Sequence, residues 1–277
     1  MSYSSQTKEE LCRFEPDSVC CLLAELSGIV CAAGSVIYRG GGDKRLSIET
    51  ENNAVARRAF RLLREVFDVQ PQLVTLKRSR LGGRSAYRIE ISGSEASFVL
   101  EGCGIEMGQR RGVPREITVR KCCRMSFLRG VFLACGSVTD PEKEYNIEFL
   151  SPRHSLSQQL EGILAQYEFN PRRAVRKGAN TVYVKSSDHL EDLLTFILGM
   201  AFWLSGTPPC ASWNNACITI CAIKPTAFPT AKPPTWAKPY RQPCRCALRL
   251  RCWKRPARWK PCPNHCSRQP ACGCSTP

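Results

Sequence analysis

Residues 20–36 read Cys-Cys-Leu-Leu-Ala-Glu-Leu-Ser-Gly-Ile-Val-Cys-Ala-Ala-Gly-Ser-Val, and residues 122–138 read Cys-Cys-Arg-Met-Ser-Phe-Leu-Arg-Gly-Val-Phe-Leu-Ala-Cys-Gly-Ser-Val. Cys-Cys, Leu, Gly, Ala and Gly-Ser-Val align at a constant offset of 102 residues. A chain that repeats itself at this distance folds as two copies of one unit, and the copies must fit each other as well as themselves. Each copy reads as a long apolar helix ended by glycine. Gly28 and Gly130 fall mid-helix, where glycine costs about 1 kcal/mol relative to alanine. Glycine at one place in both copies points to close contact between the two helices about a pseudo-twofold axis. Gly34 and Gly136 stand at the helix ends and join them as packing positions.

The segments after the two repeat helices also match. After the first come a strand at 45–49, a helix at 52–67, strands at 72–78 and 86–92, and a short helix at 94–101. After the second come a strand at 145–149, a helix at 153–167, strands at 173–177 and 181–185, and a helix at 188–199. Gly82-Gly83 and Gly178-Ala179-Asn180 are expected to turn the equivalent hairpins. Each half thus reads helix, two strands, helix, two strands, helix (αββαββα), an α+β pattern. The expected domains are an N-terminal helix at 1–13, one repeat at 14–102, a linker at 103–120, a second repeat at 121–200, and a tail at 201–277.

The tail has a different composition. From Ala201 onward there is no Asp or Glu, yet the stretch holds all 5 Trp, 13 of the 19 Pro and 10 of the 18 Cys. Its 12 Lys and Arg supply most of the formal charge of +16, whereas residues 1–200 carry 28 basic and 24 acidic side chains. Three readings compete: a basic arm for nucleic acid, a cysteine-rich metal or disulfide module, or a coding region read out of frame. The third is testable within the sequence. Joining the third base of each codon to the first two of the next makes Trp213-Asn214, Trp253-Lys254 and Trp259-Lys260 each encode Glu, whatever the codon choice. Permissible codons turn Thr230–Gln242 into Cys-Glu-Thr-Ala-Asn-Leu-Gly-Lys-Thr-Val-Ser-Ala. Acidic residues return, and tryptophan vanishes. The out-of-frame reading is the preferred one. Rich in proline and poor in periodic apolar residues, the tail is expected to be disordered.

Leu26-Ser-Gly-Ile-Val-Cys-Ala-Ala-Gly34 and Leu128-Arg-Gly-Val-Phe-Leu-Ala-Cys-Gly136 resemble the LAGLIDADG motif of homing endonucleases. In that family the second Asp of each motif binds the catalytic divalent metal. Ala33 and Cys135 occupy those positions here, so the resemblance implies the scaffold without its two-carboxylate site. A more specific resemblance is to the WhiA family, bacterial regulators with a degenerate LAGLIDADG-like domain followed by a helix-turn-helix domain. It rests on Ser4-Ser-Gln-Thr-Lys-Glu-Glu-Leu11, Cys20-Cys21 with Leu23-Ala24-Glu25, Glu49-Thr-Glu-Asn52, Cys122-Cys-Arg124 with Phe127-Leu-Arg-Gly130, and Gly136-Ser-Val-Thr-Asp-Pro-Glu-Lys143. The out-of-frame Asn-Cys-Glu-Thr-Ala-Asn-Leu resembles that family's linker between domains. In frame, the chain has neither the linker nor the helix-turn-helix. The resemblance implies a non-enzymatic, cytoplasmic, nucleoid-associated regulator of cell division or sporulation that acts through transcription. It is expected to be truncated and impaired in sequence-specific binding. A protein-interaction scaffold on the same fold is the alternative.

DNA is the expected partner. The candidate contacts are Lys77, Arg78, Arg80 and Arg84, with Arg88, on one hairpin, and Arg173, Arg176 and Lys177, with Arg172 and Lys185, on its repeat mate. Basic hairpins suit phosphate contacts, and equally keep solvated strands soluble. The expectation includes no cofactor, no metal, no small-molecule substrate and no membrane partner. Arg39-Gly-Gly-Gly-Asp43 lacks the rest of a phosphate-binding loop. His154 and His189 read as helix-end residues. Cys20, Cys21, Cys122 and Cys123 open the paired helices. A four-cysteine zinc site competes there with ordinary packing of reduced thiols, and packing is the expectation.

Overall fold

The computed structural model describes residues 2–198 apart from 17, 39–43, 78–84, 106–111, 141–142, 177 and 186. Helix α1 (Tyr3–Arg13) starts where Ser2 accepts a hydrogen bond from the Ser5 amide. The first repeat is α2 (Val19–Ala33), β1 (Gly34–Tyr38), β2 (Lys44–Thr50), α3 (Asn53–Phe67), β3 (Gln72–Lys77), β4 (Ser85–Ser92) and α4 (Gly93–Gly102). The second is α5 (Lys121–Cys135), β5 (Gly136–Val138), β6 (Ile147–Ser151), α6 (His154–Gln166), β7 (Arg172–Arg176), β8 (Ala179–Val184) and α7 (Ser187–Leu198). The two halves have the same αββαββα order. Each forms an antiparallel four-stranded sheet, β1-β2-β4-β3 in one and β5-β6-β8-β7 in the other. The tail expectations at 201–277, the Gly82-Gly83 turn and the Arg39–Asp43 turn lie outside the described residues.

The local chemistry explains the boundaries. Asn52 caps α3, its Oδ1 accepting from the amides of Ala54 (2.9 Å) and Val55 (3.2 Å), which satisfies two of the helix's open donors. Apolar residues at 55, 59, 62, 63 and 66 form the buried stripe of that helix, the spacing an amphipathic helix needs. Asp68 ends it in a left-handed conformation, at φ 55°. The hairpin between β7 and β8 is tighter than expected. Arg176 pairs with Ala179, Gly178 has φ 77°, and Ala179 and Asn180 lie in strand β8 and not in the turn. Strand β6 begins at Ile147 and not at 145, because Asn146 is held in the preceding loop by side-chain bonding to Glu148 (2.9 Å).

Helices α2 and α5 pack against each other at the centre of one core that includes residues of both halves. A Cβ on Gly28 would collide with the Phe127 carbonyl oxygen and stand 2.9 Å from the Val131 nitrogen. A Cβ on Gly130 would collide with the Glu25 carbonyl oxygen and stand 3.1 Å from the Ile29 nitrogen. The backbones touch at mid-helix, as the absence of side chains there allows. Because Gly28 faces Gly130 and both Cys-Cys pairs meet, the two helices run parallel.

The sheets cover the core with one face each. Leu46, Ile48, Ile89 and Ile91 point inward from the first; Ile147, Phe149, Val182 and Val184 point inward from the second. Strand alternation puts Arg45, Glu49, Val74, Arg88 and Glu90 outward on the first sheet, and Glu148, Leu150, Arg172, Arg176 and Tyr183 outward on the second.

Candidate nucleic-acid interface and the ends of the paired helices

The two C-terminal ends of α2 and α5 carry Ala33 and Cys135. The groups around them are cationic. Arg153, from the loop after β6, reaches across the pseudo-twofold axis and donates to the carbonyl oxygens of Cys31, Ala32 (3.3 Å) and Gly34. A guanidinium at a helix C-terminus meets both the open carbonyls and the negative end of the dipole. Burial holds Lys8 of α1 below the ordinary lysine range, and Cys135 is close enough to act on it. Burial likewise pushes the Cys135 thiol up to about 12, with Lys8 and Arg153 pulling the other way. Position 33 is a methyl group and position 135 a neutral thiol. Neither supplies a carboxylate for a hard divalent cation.

The N-terminal ends of the same helices are built from sulfur. The Sγ atoms of Cys20, Cys21 and Cys123 all lie within 4.8 Å of one another. The Cys122 and Cys123 sulfurs are 4.0 Å apart. Hydrogen bonds from Cys123, Cys20 and Cys21 converge on Cys122 and hold its thiol below the ordinary range. The Cys20 thiol is pushed up by its bonds to Cys122, Cys123 and Cys21. Cys20, Cys21 and Cys123 are spaced as ligands of one metal ion would be.

Between the ends lies a buried ion group that breaks the repeat symmetry. Glu25 accepts from Arg58 Nε (2.7 Å) and Nη2 (3.0 Å), and from Arg129 Nε (2.9 Å) and Nη2 (2.8 Å). Arg129 also donates to the Ile197 carbonyl (3.0 Å) and lies over the Phe14 ring, 4.6 Å from its centroid. Its repeat counterpart Ser27 donates to the Cys103 carbonyl (2.8 Å). Both side chains therefore tie a repeat helix to the far end of its own half.

The sequence candidates for DNA contact separate. Arg78, Arg80, Arg84 and Lys177 lie outside the described residues, and Lys77 ends β3. Arg88 faces outward and pairs with Glu49 (2.7 Å) and Glu90 (3.8 Å). Arg176 faces outward, pairs with Glu148 (2.7 Å) and lies over the Tyr183 ring. Arg173 sits opposite buried Val182 and pairs with Glu161 of α6 (3.4 Å), on the helix side of the sheet. Its neighbour Arg172 is the outward one. No carboxylate lies within ion-pair distance of Arg172 among the described residues. Arg45, paired with Glu90 at 3.3 Å, joins the outward set, though its spacing in the sequence does not mark it. Lys185 pairs with Glu144 (2.8 Å). His154 Nδ1 lies 3.2 Å from Asn180 Oδ1, and His189 Nε2 lies 2.9 Å from Asn170 Nδ2. Among the described residues, no helix is long and apolar enough to cross a membrane.

Two family models match the chain. One is described as the WhiA N-terminal LAGLIDADG-like domain and covers residues 19–105. The other is described as the WhiA LAGLIDADG-like domain and covers residues 124–204. A probable cell division protein WhiA of Alkaliphilus metalliredigens (strain QYMF) is 34% identical over 204 residues, covering 71% of this chain and 64% of that protein. That of Heliobacterium modesticaldum (strain ATCC 51547 / Ice1) is 35% identical over 201 residues, covering 71% and 63%. The similarity thus spans about 64% of the first relative's length. Among solved structures, full-length DUF199/WhiA from Thermatoga maritima superposes with a TM-score of 0.56 at 21% identity, over 71% of this chain and 62% of that one. The N-terminal LAGLIDADG domain of DUF199/WhiA gives 0.55 at 20% identity, over 71% and 92%. Both share the fold.

Proposed function

The chain belongs to the WhiA family, and from that premise we propose that it is a non-enzymatic, DNA-binding regulator of cell division or sporulation that acts through transcription. We place it in the cytoplasm, associated with the nucleoid. The observation that carries the reading is the charge on the outward sheet faces. Arg45 and Arg88 stand on one, and Arg172 and Arg176 stand on the other. Arginine on a solvated strand suits phosphate oxygens. Sheet carboxylates already pair with three of these four arginines, so phosphate must compete with Glu49, Glu90 and Glu148. That favours weak binding set by charge, without base readout.

The same reading holds that residues 201–277 are an out-of-frame product that replaces the linker and helix-turn-helix domain. Family-model similarity stops at residue 204, close to where acidic residues cease. Without an element that enters the major groove, sequence discrimination is impaired. The test is a fluorescence anisotropy titration of the full chain against a duplex of arbitrary sequence at two salt concentrations. Affinity is expected to fall steeply with salt, with a logarithmic slope of about 0.9 per phosphate contacted. The triple variant Arg88→Ala, Arg172→Ala, Arg176→Ala is expected to flatten that slope. An unchanged slope in a folded triple variant contradicts the reading.

A second reading is favoured by a separate observation. Ile37, Val74 and Leu150 are 51%, 40% and 49% exposed on the same outward faces. Apolar side chains on a sheet face suit a protein partner. In that case the triple variant leaves partner binding intact, while Ile37→Asp abolishes it.

A further inference from the structure

The four cysteines at the N-terminal ends of α2 and α5 take no part in the proposed DNA contacts. We infer that Cys20, Cys21, Cys122 and Cys123 form a tetrathiolate site for one thiophilic divalent cation of the zinc class.

Geometry is the first support. Tetrahedral Zn–S bonds of about 2.3 Å set neighbouring sulfurs about 3.8 Å apart. The Cys122 and Cys123 sulfurs stand at 4.0 Å, and those of Cys20, Cys21 and Cys123 lie within 4.8 Å of one another. Three sulfurs thus share a centre, and Cys122, through its contact with Cys123, stands beside them as the fourth donor. For Cys20, Cys21 and Cys123 a contraction of about 1 Å or less reaches that spacing, and half-buried Cys122 turns in to close the shell.

The donor set is the second. It is sulfur alone, and soft thiolates select zinc and its like over magnesium or calcium. The burial is graded: Cys21 and Cys123 are buried, whereas Cys20 and Cys122 are half-buried. The half-buried pair gives a cation a way in.

Electrostatics is the third. Each cysteine lies in the first turn of its helix, as α2 begins at Val19 and α5 at Lys121. Two parallel helices bring two positive dipole ends together, each equivalent to about half a charge. Four thiolates around a divalent cation carry two negative charges and offset both dipoles. Arg120, Lys121 and Arg124 flank the site in sequence and add to the offset. On binding, four S–H bonds break, four S–metal bonds form, and the protons leave to solvent, so affinity weakens with acid.

Ordinary packing explains less. Cys12 is a packing cysteine, a single buried thiol that burial pushes up to about 12. Three thiols converging across a pseudo-twofold axis, with a fourth 4.0 Å from one of them, are not needed to fill a core. A metal there would staple the two halves of the fold, joining ligands 101 residues apart, Cys21 to Cys122.

The experiment uses the full chain, reduced and freed of metal by a chelator, then titrated with zinc chloride. Peptide-resolved alkylation reads each cysteine separately, so the tail cysteines do not confuse the result. The expected result is that the peptides holding Cys20-Cys21 and Cys122-Cys123 become protected in parallel and saturate at one zinc per chain. Unchanged alkylation of these four, or protection confined to residues 210–274, overturns the proposal. Cobalt(II) supplies a second readout through the ligand-field bands of a tetrahedral thiolate site. The Cys20→Ser, Cys122→Ser variant is expected to lose cobalt affinity by more than about 100-fold, while Cys12→Ser keeps it. Full retention of the cobalt bands by the double variant overturns the proposal. The alkylation experiment needs no variant to fold.

Discussion

The two ends of the α2–α5 pair are made on opposite principles. At the N-terminal end both copies present Cys-Cys; the sulfurs of Cys20, Cys21 and Cys123 meet, and that of Cys122 lies 4.0 Å from Cys123. At the C-terminal end the copies differ, Ala33 against Cys135, and residues from outside the paired helices fill the surroundings. Lys8 comes from α1, and Arg153 follows β6. One end is closed by identical residues acting on each other across an axis. The other is closed by Arg153, which caps the carbonyls at the end of α2, and by buried Lys8 near Cys135. A repeat thus keeps like residues where both copies meet at one point. Where each copy meets something different, its residues differ.

The largest expected effect lies between the two ends. Glu25, Arg58 and Arg129 are buried at 0%, 3% and 1% exposure. Replacing Glu25 by Gln leaves two guanidiniums buried without a countercharge, and is expected to destabilise by about 3–5 kcal/mol, read from urea midpoints. A loss below about 1 kcal/mol would mean that water reaches this group and that the two halves pack loosely. Next comes Gly130→Ala, which drives a methyl into the Glu25 carbonyl and is expected to cost about 1–3 kcal/mol. The same change at Gly162, where nothing lies within 4 Å, should be neutral or stabilising, because alanine favours the helix. At the C-terminal end, Arg153→Ala removes the cap on α2 and is expected to cost about 1–2 kcal/mol, less at high salt. The smallest expected effect is on catalysis. The pair Ala33→Asp, Cys135→Asp should show no cleavage of supercoiled plasmid with magnesium, since positioning of water and phosphate is also required. Nicking by that pair would show the C-terminal end to be closer to a catalytic centre than its cations suggest.

Much of the fold is legible in the sequence because the repeat is explicit. Eight identities at one offset place α2 against α5, and the later elements fall within about two residues of their expected bounds. The departures are local: Asn146 in the loop before β6, and Asn180 in a strand and not a turn. The site is less legible, for geometric reasons. Arg172 and Arg173 are adjacent, and a one-residue change of parity decides which faces outward. Only the register, Arg172 with Tyr183 and Arg173 with Val182, settles it. Arg153 and Lys8 act through tertiary contacts that no spacing in sequence reveals. Glu25 and Arg129 do leave a signal. A single charge of each sign, set in otherwise apolar helix segments, is the pattern of a buried pair, and a sequence reading can use it.

DNA meets the outward sheet faces in the proposed function, and the sulfur end of the paired helices stays clear of it. Hydroxyl-radical footprinting of the full chain, with and without duplex DNA, measures both regions at once. Protection is expected at Ile37, Val74, Leu150 and Tyr183 on the sheet faces, with oxidation at Cys20 and Cys122 unchanged. Protection at Cys20 and Cys122 with the sheet faces unchanged would contradict this assignment of the two regions.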